Sequence, residues 1–147
     1  MDPLDRKIVA ALECDGRLTH AELGRRLGVS GPAIAERIAR LMDTRVILGF
    51  RAILNPAAFG LHQEAIIEFT PFGPDFERSV ERVMKRPEIR LAYRVTGEAL
   101  LLLIVRTRSN EHLNELLLDM TKHGKTRTSI VLRPEIGHRP LSETLED

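Results

Sequence analysis

Apolar residues recur at helical spacing through the first third of the chain. Leu4, Ile8, Ala11 and Leu12 form one stripe and Leu23 and Leu27 a second; Ile34, Ile38 and Leu41 follow at i, i+4 and i+7. The pattern predicts three short amphipathic helices, broken at Asp15-Gly16-Arg17-Leu18-Thr19 and at Gly28-Val29-Ser30. Asp2 caps the first helix, with Pro3 at the first helical position, where its missing N–H is harmless. Thr19-His20-Ala21-Glu22 reads as a capping box that opens the second helix. Gly28 is placed to end that helix in the left-handed conformation, and Ser30 to cap the third. Val46–Leu54 then reads as a strand.

Asn55-Pro56-Ala57-Ala58-Phe59-Gly60 is a turn-rich connection and the expected boundary. Beyond it, His62–Phe69 reads as a strand, and Pro74-Asp75 opens a helix with Phe76, Val80, Val83 and Met84 on one side. Ile89–Thr96 and Ala99–Thr107 are strands joined through a tight turn at Gly97-Glu98. Ser109 or Asn110 caps a further helix, with Leu113, Leu116, Leu117 and Met120 inward and Gly124 ending it; Thr126–Arg133 is the last strand. The order βαββαβ is ferredoxin-like. The fold class expected is therefore α+β: a winged-type helix-turn-helix domain over 1–54 with its connecting strand, a linker over 55–60, a ferredoxin-like domain over 61–134, and a polar, acidic tail over 135–147. The run Leu100–Val105 is apolar on both faces, whereas an antiparallel sheet covered by helices on one side alternates. A second subunit is the expected cover, so the run predicts a dimer or larger assembly.

Two helices joined by a short glycine-containing turn form the arrangement that sets a helix into the DNA major groove. With Ile34, Ile38 and Leu41 inward, about 100° per residue turns Pro32, Ala33, Glu36 and Arg40 outward, with Arg37 and Ala39 on the flanks. Gly31, Pro32 and Ala33 are small enough for close approach to base edges. Arg40 and Arg37 are then in reach of a base or phosphate, and the Ser30 hydroxyl of a phosphate. Arg37 has a second reading, an ion pair within the domain to Glu13 or Asp43. Glu36 either accepts from cytosine N4 or pairs with Arg40 four residues on. Phosphate contacts are expected from Arg17, Arg25, Arg26 and Arg51.

Taken in order, Leu4-Asp5-Arg6-Lys7-Ile8, Asp15-Gly16-Arg17-Leu18-Thr19, Glu22-Leu23-Gly24, Leu27-Gly28-Val29-Ser30, Glu36-Arg37-Ile38-Ala39-Arg40-Leu41 and Val46-Ile47-Leu48-Gly49-Phe50 resemble the feast/famine, or Lrp/AsnC, regulators. Val95-Thr96-Gly97-Glu98 and Thr126-Arg127-Thr128-Ser129-Ile130-Val131-Leu132 extend the resemblance to about residue 133. It implies a transcriptional regulator binding double-stranded DNA, dimers that assemble to octamers or similar discs, and an amino-acid or related effector held between dimers. The implied effector residues are Thr96, Gly97, Glu98 and Ala99 of the turn, with Thr126, Thr128 and Ser129 as neighbours. The family turn reads Gly-Asp, an aromatic, then a second Asp, whereas this chain has Gly97-Glu98-Ala99-Leu100. The second carboxylate is gone, which implies either a less polar effector or the loss of effector control.

Composition changes this picture little. Net charge is only +1, with 43% apolar and 29% charged residues. Between Gly16 and Arg51, however, arginines at 17, 25, 26, 37, 40, 45 and 51 face only Glu22, Glu36 and Asp43. No apolar run approaches the roughly 20 residues of a membrane span. With its acidic opening Met1-Asp2-Pro3, no signal peptide is expected, and neither is membrane contact; the expected location is cytoplasmic. Cys14, the only cysteine, excludes an internal disulfide and is read as a small packing residue in preference to a redox sensor. No cofactor is expected. Relatives resembling siroheme decarboxylases share this architecture, and Tyr93-Arg94 sits near their Tyr/Arg motif, but Leu91 and Ala92 stand where a histidine is needed. His20, His62, His112, His123 and His138 show no ligand spacing. The remaining rival is an assembly or sensor protein that does not read DNA.

Overall fold

The computed structural model describes residues 1–147 except Asp75, Gly137, His138 and 145–147. It divides into two compact units: Met1–Ile53 with the described residues from Ile136 onwards, and Leu54–Glu135.

The first unit holds α1 (Pro3–Cys14), α2 (His20–Leu27) and α3 (Gly31–Asp43). Asp2 caps α1 in a reciprocal box. Its Oδ1 accepts from the Asp5 N–H at 2.8 Å, and Asp5 Oδ2 accepts from the Asp2 N–H at 3.2 Å. The box expected at Thr19 is only half formed. Thr19 accepts from the Glu22 N–H at 3.2 Å, but the Glu22 carboxylate turns to Arg26 one helical turn on, at 3.0 Å. Gly28 ends α2 at φ 72, and Ser30 caps α3 through the Ala33 N–H at 3.3 Å. Ile8, Leu12, Leu18, Leu23, Ile34, Ile38 and Leu41 form the buried core. Gly24 lets the two helices of the turn close: a Cβ there would lie 2.5 Å from the Val29 carbonyl oxygen. Cys14, expected to pack, is exposed.

One expectation for this unit needs correction. Val46–Leu54 forms no strand: after α3 the Val46 and Ile47 N–H groups both donate to the Leu41 carbonyl, and the segment runs on unpaired. A strand needs a ladder partner, and the described residues of this chain supply none, so no wing forms. Leu48 and Ile53 are left 87% and 90% exposed. The tail, expected only as a polar and acidic segment, contributes a short 3-10 turn at Leu141–Thr144. Glu13 of α1 accepts from the Leu141 and Ser142 N–H groups at 2.7 and 2.8 Å.

The second unit runs β1 (Gln63–Pro71), α4 (Phe76–Met84), β2 (Ile89–Arg94), β3 (Leu101–Thr107), α5 (Asn110–Met120) and β4 (Gly124–Ile130). A 3-10 turn at Pro56–Phe59 precedes β1. Asp75, expected with Pro74 to open α4, lies outside the described residues. The sheet order is β2-β3-β1-β4, every pair antiparallel, which is the ferredoxin-like arrangement. Ala65, Ile67 and Phe69 of β1 and Leu101, Leu103 and Val105 of β3 are buried with Val80 and Val83 of α4 and with Leu113, Leu116 and Met120 of α5. The intervening residues take the other face. There Leu102 and Ile104 are only half-buried, and their partners Tyr93 and Leu91 are 51% and 49% exposed. Gly124 does not end α5, which stops at Met120 with Thr121 as its cap. It opens β4 instead, where a Cβ would lie 2.5 Å from both the Phe69 ring and the Thr70 carbonyl oxygen.

Candidate nucleic-acid interface and effector cleft

The three apolar residues of α3 bury one side and so orient the other. Pro32, Glu36, Ala39 and Arg40 are exposed, and Ala33 and Arg37 are half-buried. Ala33, Glu36, Arg37 and Arg40 line a shallow concavity of about 250 Å³ on the outward face. Gly31 stands at the edge of this surface, where a Cβ would meet the Ala21 backbone of α2 at 3.5 Å.

The arginines of this ridge are held from the first helix. Arg37 Nη1 donates to Asp2 and to Asp5 Oδ1, the latter at 2.8 Å; Arg40 Nη2 donates to both Asp5 oxygens at 3.0 and 2.8 Å. Asp5 as a residue is only 3% exposed. An intradomain ion pair of Arg37 was among the readings of the sequence, but its acids are Asp2 and Asp5, and neither Glu13 nor Asp43. Arg40 does not pair with Glu36, because Asp5 already takes its guanidinium. Charge and hydrogen bonding leave a mark on these groups. The Arg37 hydrogen bond holds the Asp2 carboxyl below its usual range. Burial pushes Asp5 up, but the Arg37 and Asp2 hydrogen bonds and the charge of Arg40 outweigh it, and the net direction is down. The Arg37 guanidinium is correspondingly raised, first by Asp2 and then by Asp5. Each guanidinium still has N–H groups that the carboxylates do not use. Arg17, Arg25, Arg26 and Arg51 are exposed. Only Arg26 is ion-paired among the described residues, through an exposed contact to Glu22 that a phosphate can readily replace.

In the second unit, Glu98, Ala99 and Thr126 come together in a cleft of about 220 Å³ at one end of the sheet. Glu68, Thr70, Lys125 and Arg127 complete its lining, and none of these was legible as a site residue. Arg127 makes two bonds to Glu68 Oε1, at 3.2 and 2.8 Å, and Thr70 Oγ1 donates to the Glu98 carbonyl at 3.2 Å. Strand alternation divides the remaining candidates. Thr126 and Thr128 oppose the buried Phe69 and Ile67, whereas Ser129 opposes Ile66 on the other face. Thr96, Gly97, Thr128 and Ser129 lie outside the lining. Tyr93 lies exposed on β2, and Arg94 is paired with Glu77 at 3.2 Å. Among the described residues no group of His, Cys, Asp and Glu has the arrangement of a metal site. Nor, among the described residues, is any helix long and apolar enough to cross a membrane.

Residues 1–42 match the model of the AsnC-type helix-turn-helix domain, and residues 64–141 that of the Lrp/AsnC ligand binding domain. The chain is 35% identical over 135 residues to the HTH-type transcriptional regulator LrpA of Mycobacterium tuberculosis, covering 90% of each. Its fold is similar to that of Bacillus subtilis LrpC, with a TM-score of 0.86 and 26% identity over 94% of this chain and 99% of that one. It is also similar to the transcriptional regulator NMB0573 of Neisseria meningitidis in its complex with L-Met, with a TM-score of 0.85, 28% identity and 99% of both chains covered.

Proposed function

We propose a mode of action from one premise: this chain belongs to the Lrp/AsnC family and is a helix-turn-helix transcriptional regulator. In our reading α3 enters the major groove. Glu36, Arg37 and Arg40 face base edges, Ala33 and Pro32 allow close approach, and Ser30 and the exposed arginines Arg17, Arg25, Arg26 and Arg51 hold phosphates. The outward concavity bounded by Ala33, Glu36, Arg37 and Arg40 is the observation that carries this reading. Titration of the chain's own promoter DNA against random duplex, at several salt concentrations, tests it. Preference for the promoter, with affinity falling steeply as salt rises, is expected; equal affinity for both duplexes overturns it.

The second unit senses a small effector at the cleft between Glu98 and Lys125. Arg127 and Glu68 answer each other, while the Glu98 carboxylate and the Lys125 ammonium make no hydrogen bond or ion pair among the described residues. An acid and a base that lack hydrogen-bond partners of their own suit the ammonium and carboxylate of an amino acid, although Arg127 also feels the Glu98 charge, and Ala99 in place of an aromatic leaves an apolar wall. An amino acid with an apolar side chain is therefore the proposed effector, a class to which the L-Met held by the Neisseria regulator belongs. Calorimetric titration with the twenty amino acids is expected to give saturable heat for apolar ones, lost in Glu98→Gln. The half-exposed face of Leu91, Tyr93, Leu102 and Ile104 and the unpaired segment 46–54 are proposed as surfaces buried between copies. A two-fold dimer then presents two α3 helices to half-sites one helical turn, or a multiple of it, apart.

A further inference from the structure

The end of the second unit's sheet away from Glu98 carries charged side chains that neither DNA reading nor the effector cleft uses. A cleft of about 230 Å³ lies there, with Leu61 and Pro87 as its apolar rim and Glu88, Arg90, Arg106 and Arg108 among its polar walls. Most of these charges are answered within the unit. Arg106 pairs with Glu64 beside it on β1. Glu88, only 7% exposed, is met by Arg86 at 3.3 Å and by His112 Nε2 at 2.9 Å. His112 is held from both sides, its Nδ1 3.4 Å from the Arg108 N–H and its Nε2 2.9 Å from Glu88 Oε1. That network fixes the floor of the cleft and the backbone of Arg108.

Arg90 and Arg108 are left over. Both are exposed, and neither has an acceptor among the described residues. Arg90 is the extra residue of a bulge: Ile89 pairs with Val105 and Leu91 with Ile104, and Arg90 is turned out of the ladder between them. Bulges re-aim a side chain in this way. The cleft therefore holds two guanidiniums that form no ion pair among the described residues of the unit, although the buried Glu88 Oε2 beneath them has no hydrogen-bond partner. We propose that it binds a small phosphate monoester, with the phosphate gripped between Arg90 and Arg108. A phosphate monoester carries close to two negative charges at neutral pH, which matches the two cationic side chains, and guanidinium forks fit its oxygens. The volume is below the roughly 300 Å³ at which pockets for larger organic ligands begin, so the ligand is small. Leu61 puts the rim one residue beyond Gly60, where the connecting segment ends at φ 71. A bound phosphate compound thus touches the residue that follows the 3-10 turn and leads into β1.

Calorimetric titration of the full chain at low ionic strength, with glucose 6-phosphate, inorganic phosphate and glucose as probes, tests this site. Saturable binding of one glucose 6-phosphate per chain is expected, with none for glucose. Weaker inorganic phosphate assigns part of the affinity to the Leu61 and Pro87 rim; equal affinity assigns all of it to the phosphate. Arg90→Gln with Arg108→Gln is expected to weaken binding at least about tenfold. Arg78→Gln, an exposed change on α4, leaves it unaltered, and the double variant keeps the thermal midpoint and promoter affinity of the parent. The proposal is overturned if neither phosphate compound binds, or if the double variant binds as tightly as the parent. It is overturned too if the double variant loses affinity for duplex DNA alone, which makes the cleft a DNA-backbone contact.

Discussion

Asp5 joins the first helix to the reading helix. Its buried carboxylate accepts from Arg37 and Arg40 and from the Asp2 N–H, so one short side chain caps α1 and sets two arginines of α3. Asp5→Asn keeps the shape but halves the acceptors and removes the charge that both guanidiniums face. The expected loss is about 1–3 kcal/mol in denaturant unfolding. A lower ratio of promoter to random-duplex affinity should accompany it, because Arg40 loses its fixed position. The pH dependence has a definite sign. Asp2 and Asp5 titrate below the ordinary 3.8 in the folded chain, so the unfolded chain takes up protons first as pH falls. Their stabilisation is complete above the ordinary carboxylate range and disappears as pH drops through the lowered values. Thermal midpoints from pH 6 down to pH 2.5 should fall less steeply for Asp2→Asn than for the parent; parallel curves would show that the pairing contributes nothing. Helical periodicity alone made Arg40 readable as outward-facing and Arg37 as flanking. Their partners were not readable, since Asp5 and Arg40 lie 35 positions apart. The capping box at Asp2 went unread because its third helical position holds Asp, where the usual pattern has Glu or Gln.

At the level of elements, the helices and strands followed from periodicity and caps, and the exceptions have physical causes. The turn between α2 and α3 depends on two glycines for different reasons. Gly28 supplies a left-handed residue in open space, whereas Gly24 supplies the absence of a side chain. Gly24→Ala pushes a methyl into the Val29 carbonyl and is expected to cost roughly 1–3 kcal/mol. Gly28→Ala costs only about 1 kcal/mol, the left-handed penalty of a single residue. Comparing the two thermal midpoints checks the ranking, and a larger loss at Gly28 would reverse this account of the turn. Gly124 was misread from sequence because a glycine just beyond a helical stripe usually marks a helix end. Its real constraint, the approach of Phe69 and Thr70 from β1, lies across the sheet. Thr19 shows the same limit: its sequence pattern allowed a reciprocal box, but Glu22 had a second partner in Arg26 and took it.

On the scale of the whole molecule, the chain exposes apolar surface in each of its two units. Leu48 and Ile53 stand clear of the first unit, and Leu91 and Tyr93 clear of the sheet. In the proposed assembly a second copy covers them and supplies the missing ladder partner for residues 46–54. Leu48→Asp with Ile53→Asp is therefore expected to lower the mass measured by light scattering toward that of the 16.6 kDa chain. An unchanged assembly mass would remove this segment from the interface. The sequence alone determined what is periodic or local: three helices with their caps, the order βαββαβ, the outward side of α3, and the residues that carry the family resemblance. Each depends on neighbours within a few positions, where spacing dictates geometry. Only the tertiary structure decided which carboxylates hold Arg37 and Arg40, which strand face each of Thr126, Thr128 and Ser129 takes, and that Arg90 and Arg108 share one cleft. Those outcomes depend on pairings between residues tens of positions apart, and strand register and helix packing set them.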